Sequence, residues 1–278
     1  MTSPFISLRQ SLQQAQSRGL ERLDAQMLHL HALGRAPHDR AWLVANDRDP
    51  LPAETAQHLE RLVLRRLAGE PLAYITGSKA FFGITLQVDP RVLDPRPDTE
   101  TLVAWALELL PTESRQEILD LGTGSGAIAL ALQHERPQCQ ITAVDASPQA
   151  LAVAQSNAQR LNLPVAFVQS HWMDALSGSF DMIVSNPPYV AEGDPHLAAL
   201  THEPLQALTS GADGLHDLRL ITAQAPSRLR PGGWLLLEHG WDQAQAVQAL
   251  LHSAGFVNVQ SRLDLAGRTR CTGGVWPA

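Results

Sequence analysis

Cysteine is scarce in this sequence: among 278 residues only Cys139 and Cys271 occur. Two such residues make no disulfide framework, and neither has metal-ligand spacing around it. The eleven histidines are scattered. His29 and His31, two apart, point to different faces of a helix and read as surface or packing residues, so no metal is expected. No apolar run reaches the length of a membrane span, so no membrane association is expected. Met1 to Gln10 lacks a cationic segment followed by an apolar one, so no secretory signal is expected and a cytoplasmic protein is. Low-complexity tracts are missing too. Positive charge is in short supply, with 21 Lys and Arg against 28 Asp and Glu, a net of −7. Residues 1–75 carry +1 and residues 76–278 carry −8. Nucleic-acid affinity comes largely from neutralising phosphates, so this balance argues against direct nucleic-acid binding and suits a small cationic ligand.

What is present describes a globular protein of one large domain and one small one, 44% hydrophobic and 18% charged. Ile6, Leu8 and Leu12, then Leu20, Leu23, Met27, Leu28 and Leu30, recur at helical spacing, with Gly19 and Gly34 as punctuation. Ala56, Leu59, Leu62, Val63 and Leu67 repeat the pattern up to Gly69-Glu70-Pro71. A small helical bundle is therefore expected over residues 1–72. Ala73–Gly77 and Phe81–Val88 favour strand, which makes 73–93 a β-hairpin linker. Leu93-Asp94-Pro95-Arg96-Pro97-Asp98-Thr99-Glu100 is stiff and polar and opens a helix over 101–110.

From Glu117 onward strands and helices alternate, the signature of a parallel sheet covered on both faces. Strands are expected at 118–121, 140–144, 165–169, 181–185 and 234–238, with two more near 257–261 and 269–276. Helices are expected at 127–134, 149–161 and 242–254. Gly122-Thr123-Gly124-Ser125-Gly126 forms the turn after the first of these strands, where glycines let the backbone bend sharply and approach a ligand. Asp145 ends the second strand and is placed to accept hydrogen bonds from both hydroxyls of a ribose. Gly122, Gly124 and Ala127 also satisfy a relaxed dinucleotide fingerprint, so a nicotinamide enzyme is a competing reading. Asp120, two residues before the first glycine, favours a cationic methyl donor over a pyrophosphate. Trp172, after the third strand, suits either an adenine ring or the core. The fourth strand stops on Asn186-Pro187-Pro188-Tyr189. Two prolines cannot continue a central strand, so a rigid turn presents a carboxamide and an aromatic ring at a strand's carboxyl end, where open α/β sheets bind ligands.

Together, Pro95–Glu100, Asp120–Ala129, Ser185–Val190, Glu203-Pro204, Leu237-Glu238-His239-Gly240 and Asp264-Leu265-Ala266-Gly267 with Arg270 resemble the bacterial protein-glutamine methyltransferases of class 1 peptide chain release factors, the HemK or PrmC family. The likeness runs nearly end to end. It implies a Rossmann-like, seven-stranded class I methyltransferase domain over 94–278, behind a substrate-recognition bundle and a hairpin. It implies S-adenosylmethionine as methyl donor, release factors as protein substrate and a monomer. Gly122, Thr123, Gly124, Ser125 and Gly126 would hold the donor's methionine part, Asp145 its ribose and Trp172 its adenine region. Asn186, Pro187, Pro188 and Tyr189 would hold the substrate glutamine, with Asn186 also bordering the donor. Asn186, Pro187 and Tyr189 would be catalytic: the Asn186 oxygen and the Pro187 carbonyl accept the two amide N–H bonds, and Tyr189 walls the flat amide. Two positions depart from the family pattern, His171 in place of an acid and Thr201-His202-Glu203-Pro204 in a shortened loop. Alternatives are a ribosomal-protein glutamine methyltransferase, an adenine-DNA methyltransferase and a non-catalytic binding protein.

Overall fold

The computed structural model describes residues 6–113 and 115–278. The first five residues of the expected bundle lie outside the described residues. The chain divides into two compact units, Met1–Gly77 and Ser78–Ala278.

The first unit holds α1 (Leu8–Ser17), α2 (Arg22–Ala32), α3 (Arg40–Ala45), α4 (Ala53–Leu67) and α5 (Leu72–Thr76). Ser7 opens α1 with a capping box: its hydroxyl accepts from the Gln10 amide, and the Gln10 side chain accepts from the Ser7 amide. Leu8, Ala15, Leu28, Leu59, Leu62, Val63 and Ile75 share one core. His29 is buried in this unit, with its ring nitrogens on Ala25 O and Ser11 Oγ, a packing position. Ala73–Gly77 does not form the expected strand. Ala73, Tyr74 and Ile75 are buried in succession, which a strand's alternation would not allow, and the turn closes on Gly77 at φ +71°. Propensity for strand in Tyr-Ile-Thr yields here to helix-style burial.

The second unit begins with the hairpin β1 (Ser78–Phe81) and β2 (Ile84–Gln87). The buried Asn157 amide accepts from Gln87 N at 2.7 Å and donates to Gln87 O at 2.9 Å and Ser125 O at 3.0 Å, tying the hairpin to the glycine turn. Next come α6 (Glu100–Leu109), β3 (Glu117–Leu121), α7 (Ala127–Glu135), β4 (Gln140–Asp145), α8 (Pro148–Leu161), β5 (Val165–Gln169), β6 (Phe180–Ser185), α9 (His216–Gln224), β7 (Leu229–Glu238), α10 (Ala244–Ser253), β8 (Val257–Leu263) and β9 (Thr269–Val275). The seven strands β3 to β9 lie in the order β5-β4-β3-β6-β7-β9-β8, with β5 to β7 parallel and β9 antiparallel to both β7 and β8. β3 and β6 are neighbours, and their onward connections run to opposite sides. This is the topological switch point, where a crevice opens at the strands' carboxyl ends.

Side-chain alternation sets the two faces. Leu235 and Leu237 join Leu119, Leu121, Leu218, Ile221, Val247 and Leu251 in one core, which includes α9 and α10. Trp234 points the other way and meets the buried Trp105 of α6 edge-on, ring centroids 6.2 Å apart. Gly273 of β9 lies under this second face. A Cβ there would stand 2.5 Å from Leu236 Cδ2 and 2.7 Å from the Leu235 carbonyl oxygen. Gly273→Ala is expected to destabilise by about 1–3 kcal/mol through overpacking, read as a lower denaturation midpoint. An unchanged midpoint would contradict this packing.

Candidate functional site

Three glycines build the turn after β3: Gly122 at φ +69°, Gly124 at +55° and Gly126 at +87°. Side-chain-bearing residues pay a steric cost there, and at Gly126 a Cβ would also come within 2.8 Å of Leu130 Cδ1. At Gly122 a Cβ would reach 3.4 Å from the Trp172 ring, so glycine keeps that ring close to the turn. Trp172 itself has φ +45°, a strained backbone for a bulky residue. Its indole N–H donates to Asp217 Oδ1 at 3.2 Å, which fixes the ring plane.

A cleft of about 570 Å³ opens at this switch point. It is lined by Gly122, Gly124, Asp145, Trp172, Asn186 and Pro188 from the sequence-derived set, and by Arg91, Val92, Leu93, Ser147, His171, Gln206 and Asp217 among others. The remaining members of the set do not line it. Thr123 and Ser125 are buried; Thr123 donates its hydroxyl to Asp120 Oδ2 at 2.7 Å, and Ser125 offers its carbonyl to Asn157. Gly126 opens α7, and Pro187 is buried beneath the turn. Tyr189 turns behind the cleft: its hydroxyl donates to Glu238 Oε1 at 3.3 Å, and its carbonyl accepts from Gln243 Nε2 at 3.0 Å.

Two carboxylates hold the glycine turn, Asp145 from the cleft and Asp120 from the core. Asp145 accepts from Gly124 N and Ser147 N, both at 2.9 Å. Burial raises its pKa, and backbone N–H bonds oppose that shift. Asp120 is fully buried, and burial lifts its pKa to about 7 against the opposing bonds from Thr123 and Ala129. Its Oδ1 has no hydrogen-bond partner among the described residues. Asn186 stands at the far end, its Nδ2 donating to Thr99 Oγ1 at 3.1 Å.

One wall of the cleft comes from the segment with the unusual Thr201-His202-Glu203-Pro204. Glu203 is buried; it accepts from the Arg96 guanidinium and, at 3.2 Å, from Asp94 N. The Arg held between two prolines thus anchors the loop that brings Pro204, Gln206 and Ala207 to the cleft. His171, the other departure, lines the cleft with a largely exposed side chain.

Sequence reasoning missed several of these residues. Helix α9, which carries Asp217, gave too short an apolar pattern, and Thr99 reads as a helix cap although it makes no capping bond. Glu238 was visible as part of a motif, without a role.

Asp120 carries a stability consequence. An unfolded aspartate titrates near 3.9. An acid whose folded pKa is raised contributes stability below the unfolded value and loses it as pH rises through the folded value, here about 7. Asp120→Asn stays neutral, so its thermal midpoint is expected to gain on the parent's between about pH 4 and about pH 7. A difference that does not change with pH would contradict a charged, buried Asp120.

Comparison with known proteins agrees with this geometry. Residues 99–214 match the Methyltransferase small domain, and residues 6–77 match the PrmC N-terminal domain. The release factor glutamine methyltransferase of Bordetella pertussis is 50% identical over 260 residues, 92% of this chain and 95% of that one. The Escherichia coli protein of the same name is 45% identical over 269 residues, covering 95% and 96%. Among solved structures, a methyltransferase from Pyrococcus furiosus shares the fold at TM-score 0.56 and 18% identity, covering 80% of this chain and all of that one. The Thermus thermophilus 16S rRNA N2 G1207 methyltransferase, solved with AdoMet and guanosine, does so at 0.55 and 22%, covering 71% and 49%. The chain belongs to the family of release factor glutamine methyltransferases.

Proposed function

We propose that this protein methylates the side-chain amide nitrogen of a glutamine, within a Gly-Gly-Gln motif, in class 1 peptide chain release factors, using S-adenosylmethionine. The observation that carries this reading is the placement of the Asn186 carboxamide, at the end of a rigid Pro-Pro turn, in the same cleft as Asp145 and the glycine turn. The acidic balance of the chain supports a protein substrate over direct nucleic-acid contact. The family's match over residues 6–77 supports substrate recognition by the helical region, expected over 1–72, with 94–278 as the transferring domain behind the 73–93 hairpin. We propose that it acts as a monomer.

The residues fit the donor. A cleft of about 570 Å³ lies in the range of roughly 300–1,000 Å³ that encloses small ligands. Gly122 and Gly124 bring bare backbone to its floor, Asp145 offers a carboxylate for ribose hydroxyls and Trp172 offers a flat apolar wall. When bound, the donor supplies an electrophilic methyl group on a sulfonium, and the acids at positions 120 and 145 are the right sign to sit near it.

A glutamine amide nitrogen is a poor nucleophile because its lone pair is delocalised into the carbonyl. Positioning is therefore the protein's main lever, and effective molarity can supply roughly 7–11 kcal/mol when the nitrogen faces the methyl in line. The Asn186 oxygen and the Pro187 carbonyl accept the two N–H bonds of the substrate, fixing the plane of its NH2 and stabilising the positive charge that develops there. The nitrogen gains the methyl and releases one proton to water, so no strong base is required. Tyr189 packs behind this turn with its hydroxyl committed to Glu238, which keeps the turn rigid.

Asn186→Ala is expected to lower turnover by about 10²–10³-fold while leaving donor affinity within a few fold, since an electrostatic contact to the reacting group is lost. Asp145→Ala is expected to weaken donor binding by roughly 10–100-fold, the loss of charge-assisted hydrogen bonds. Labelled donor supplied with release factor, ribosomal protein or duplex DNA measures the first, and calorimetry the second. Label entering DNA but not release factor, or near wild-type turnover by Asn186→Ala, would overturn this reading.

A further inference from the structure

A carboxamide is almost symmetric in shape, and a half-turn exchanges its oxygen acceptor for an NH2 donor. To hold a substrate NH2, Asn186 must offer its oxygen to the cleft. In this protein the choice is made by a second row of groups. Asn186 Nδ2 donates to Thr99 Oγ1 at 3.1 Å. The Thr99 side chain also hydrogen-bonds the Glu238 carboxyl group, and with Glu238 ionised the hydroxyl's single proton goes there. Once that proton is given away, Thr99 meets Asn186 only with a lone pair, and only the NH2 end of the amide satisfies it. Glu238 is fully buried and also takes the Tyr189 hydroxyl at 3.3 Å. The positive charge of Arg270 acts on it, and Arg270 is paired with Asp98 at 3.0 Å and Asp264 at 3.4 Å. Above the Glu238 pKa of about 7 the carboxylate is ionised, accepts and cannot donate, so the polarity of the whole row is then fixed from its buried end.

We propose that Thr99, held by Glu238, is a positioning residue that fixes which end of the Asn186 amide faces the cleft, and thereby makes the site select a carboxamide NH2 over a carboxylate. This rests on the glutamine reading above and deepens it. Thr99 is buried and does not line the cleft; it acts through Asn186. A substrate carboxylate would meet the Asn186 oxygen with two more lone pairs and no proton, so glutamate in the substrate position is rejected by the same device that orients glutamine.

The test uses the full chain, a release factor with its Gly-Gly-Gln motif and the same factor with that glutamine changed to glutamate as a competitor. Thr99→Val keeps the shape and removes the hydroxyl; Thr99→Ser keeps the hydroxyl. Thr99→Val is expected to lose about 10–100-fold in kcat/KM, the scale of a polar group left without its partner, with donor affinity by calorimetry within about threefold of the parent. Its preference for the glutamine factor over the glutamate competitor is expected to fall by about tenfold, and Thr99→Ser is expected to restore both. Thr99→Ala serves the same comparison if Thr99→Val does not fold by circular dichroism. An unchanged glutamine-to-glutamate preference in the hydroxyl-free variant overturns the proposal whatever its rate, because a merely structural Thr99 would lower rate alone. So does a Thr99→Ser that behaves like Thr99→Val. Failure of the parent to label the glutamine factor overturns the underlying reading, whereas labelling by the parent with an unaffected Thr99→Val overturns the positioning role only.

Discussion

A carboxylate shut away from water has to be met by donors from the chain itself, because burying it alone costs more than a fold of ordinary stability can absorb. Glu238 imposes that demand at the end of β7. The groups answering it come from far apart in sequence: Thr99 ahead of α6, Tyr189 after β6 and Arg270 in β9. Each brings a functional stretch with it. Tyr189 fixes the end of the Pro-Pro turn, Thr99 reaches Asn186, and Arg270 draws in Asp98 and Asp264. Even so, burial holds the Glu238 pKa up to about 7, and its Oε2 has no partner among the described residues.

Asp120 is the counterpart beneath the glycine turn. It too is fully buried, titrates at about 7 and leaves one oxygen without a partner. A protein selected for stability alone gains nothing from two such groups, since a neutral side chain of similar shape costs less to bury. Their positions give the reason for keeping them. Asp120 supports the glycine turn proposed to receive a cationic donor, and Glu238 supports the Pro-Pro turn proposed to receive an amide. Stability is exchanged for local charge where the chemistry requires it.

Much of this was legible in the sequence because it is written in residues with few conformational choices. The glycines of 122–126 read as a tight turn, and all three adopt the left-handed backbone that makes them necessary. Pro187-Pro188 ends β6 because no ladder can pass through it, and strands and helices alternate from Glu117 onward as the sequence reads. The missing parts are those whose role depends on a partner distant in the chain. Thr99 has the local signature of a cap, and its real partners are Asn186 and Glu238. Helix α9 buries only Leu218, Ile221 and Thr222, too few to stand out, yet it supplies the Asp217 that orients Trp172. Ala73–Gly77 went the other way: its residues favour strand, and the core of the helical unit took them as a turn of helix.

The same reasoning separates what the Pro-Pro turn can decide from what it cannot. An Asn186 oxygen held toward the cleft is an acceptor that suits any planar nitrogen carrying protons, in an amide or in a nucleobase. An Asn oxygen by itself does not distinguish them, and neither does the glycine turn. Discrimination against a carboxylate is different, because it requires only that the acceptor never becomes a donor. A row that begins at the buried Glu238, ionised above its pKa of about 7, and passes through a single hydroxyl meets that requirement with three residues. It follows that the polarity of the site is set one layer behind the residues that touch the substrate, and that a half-turn of one amide would reverse it.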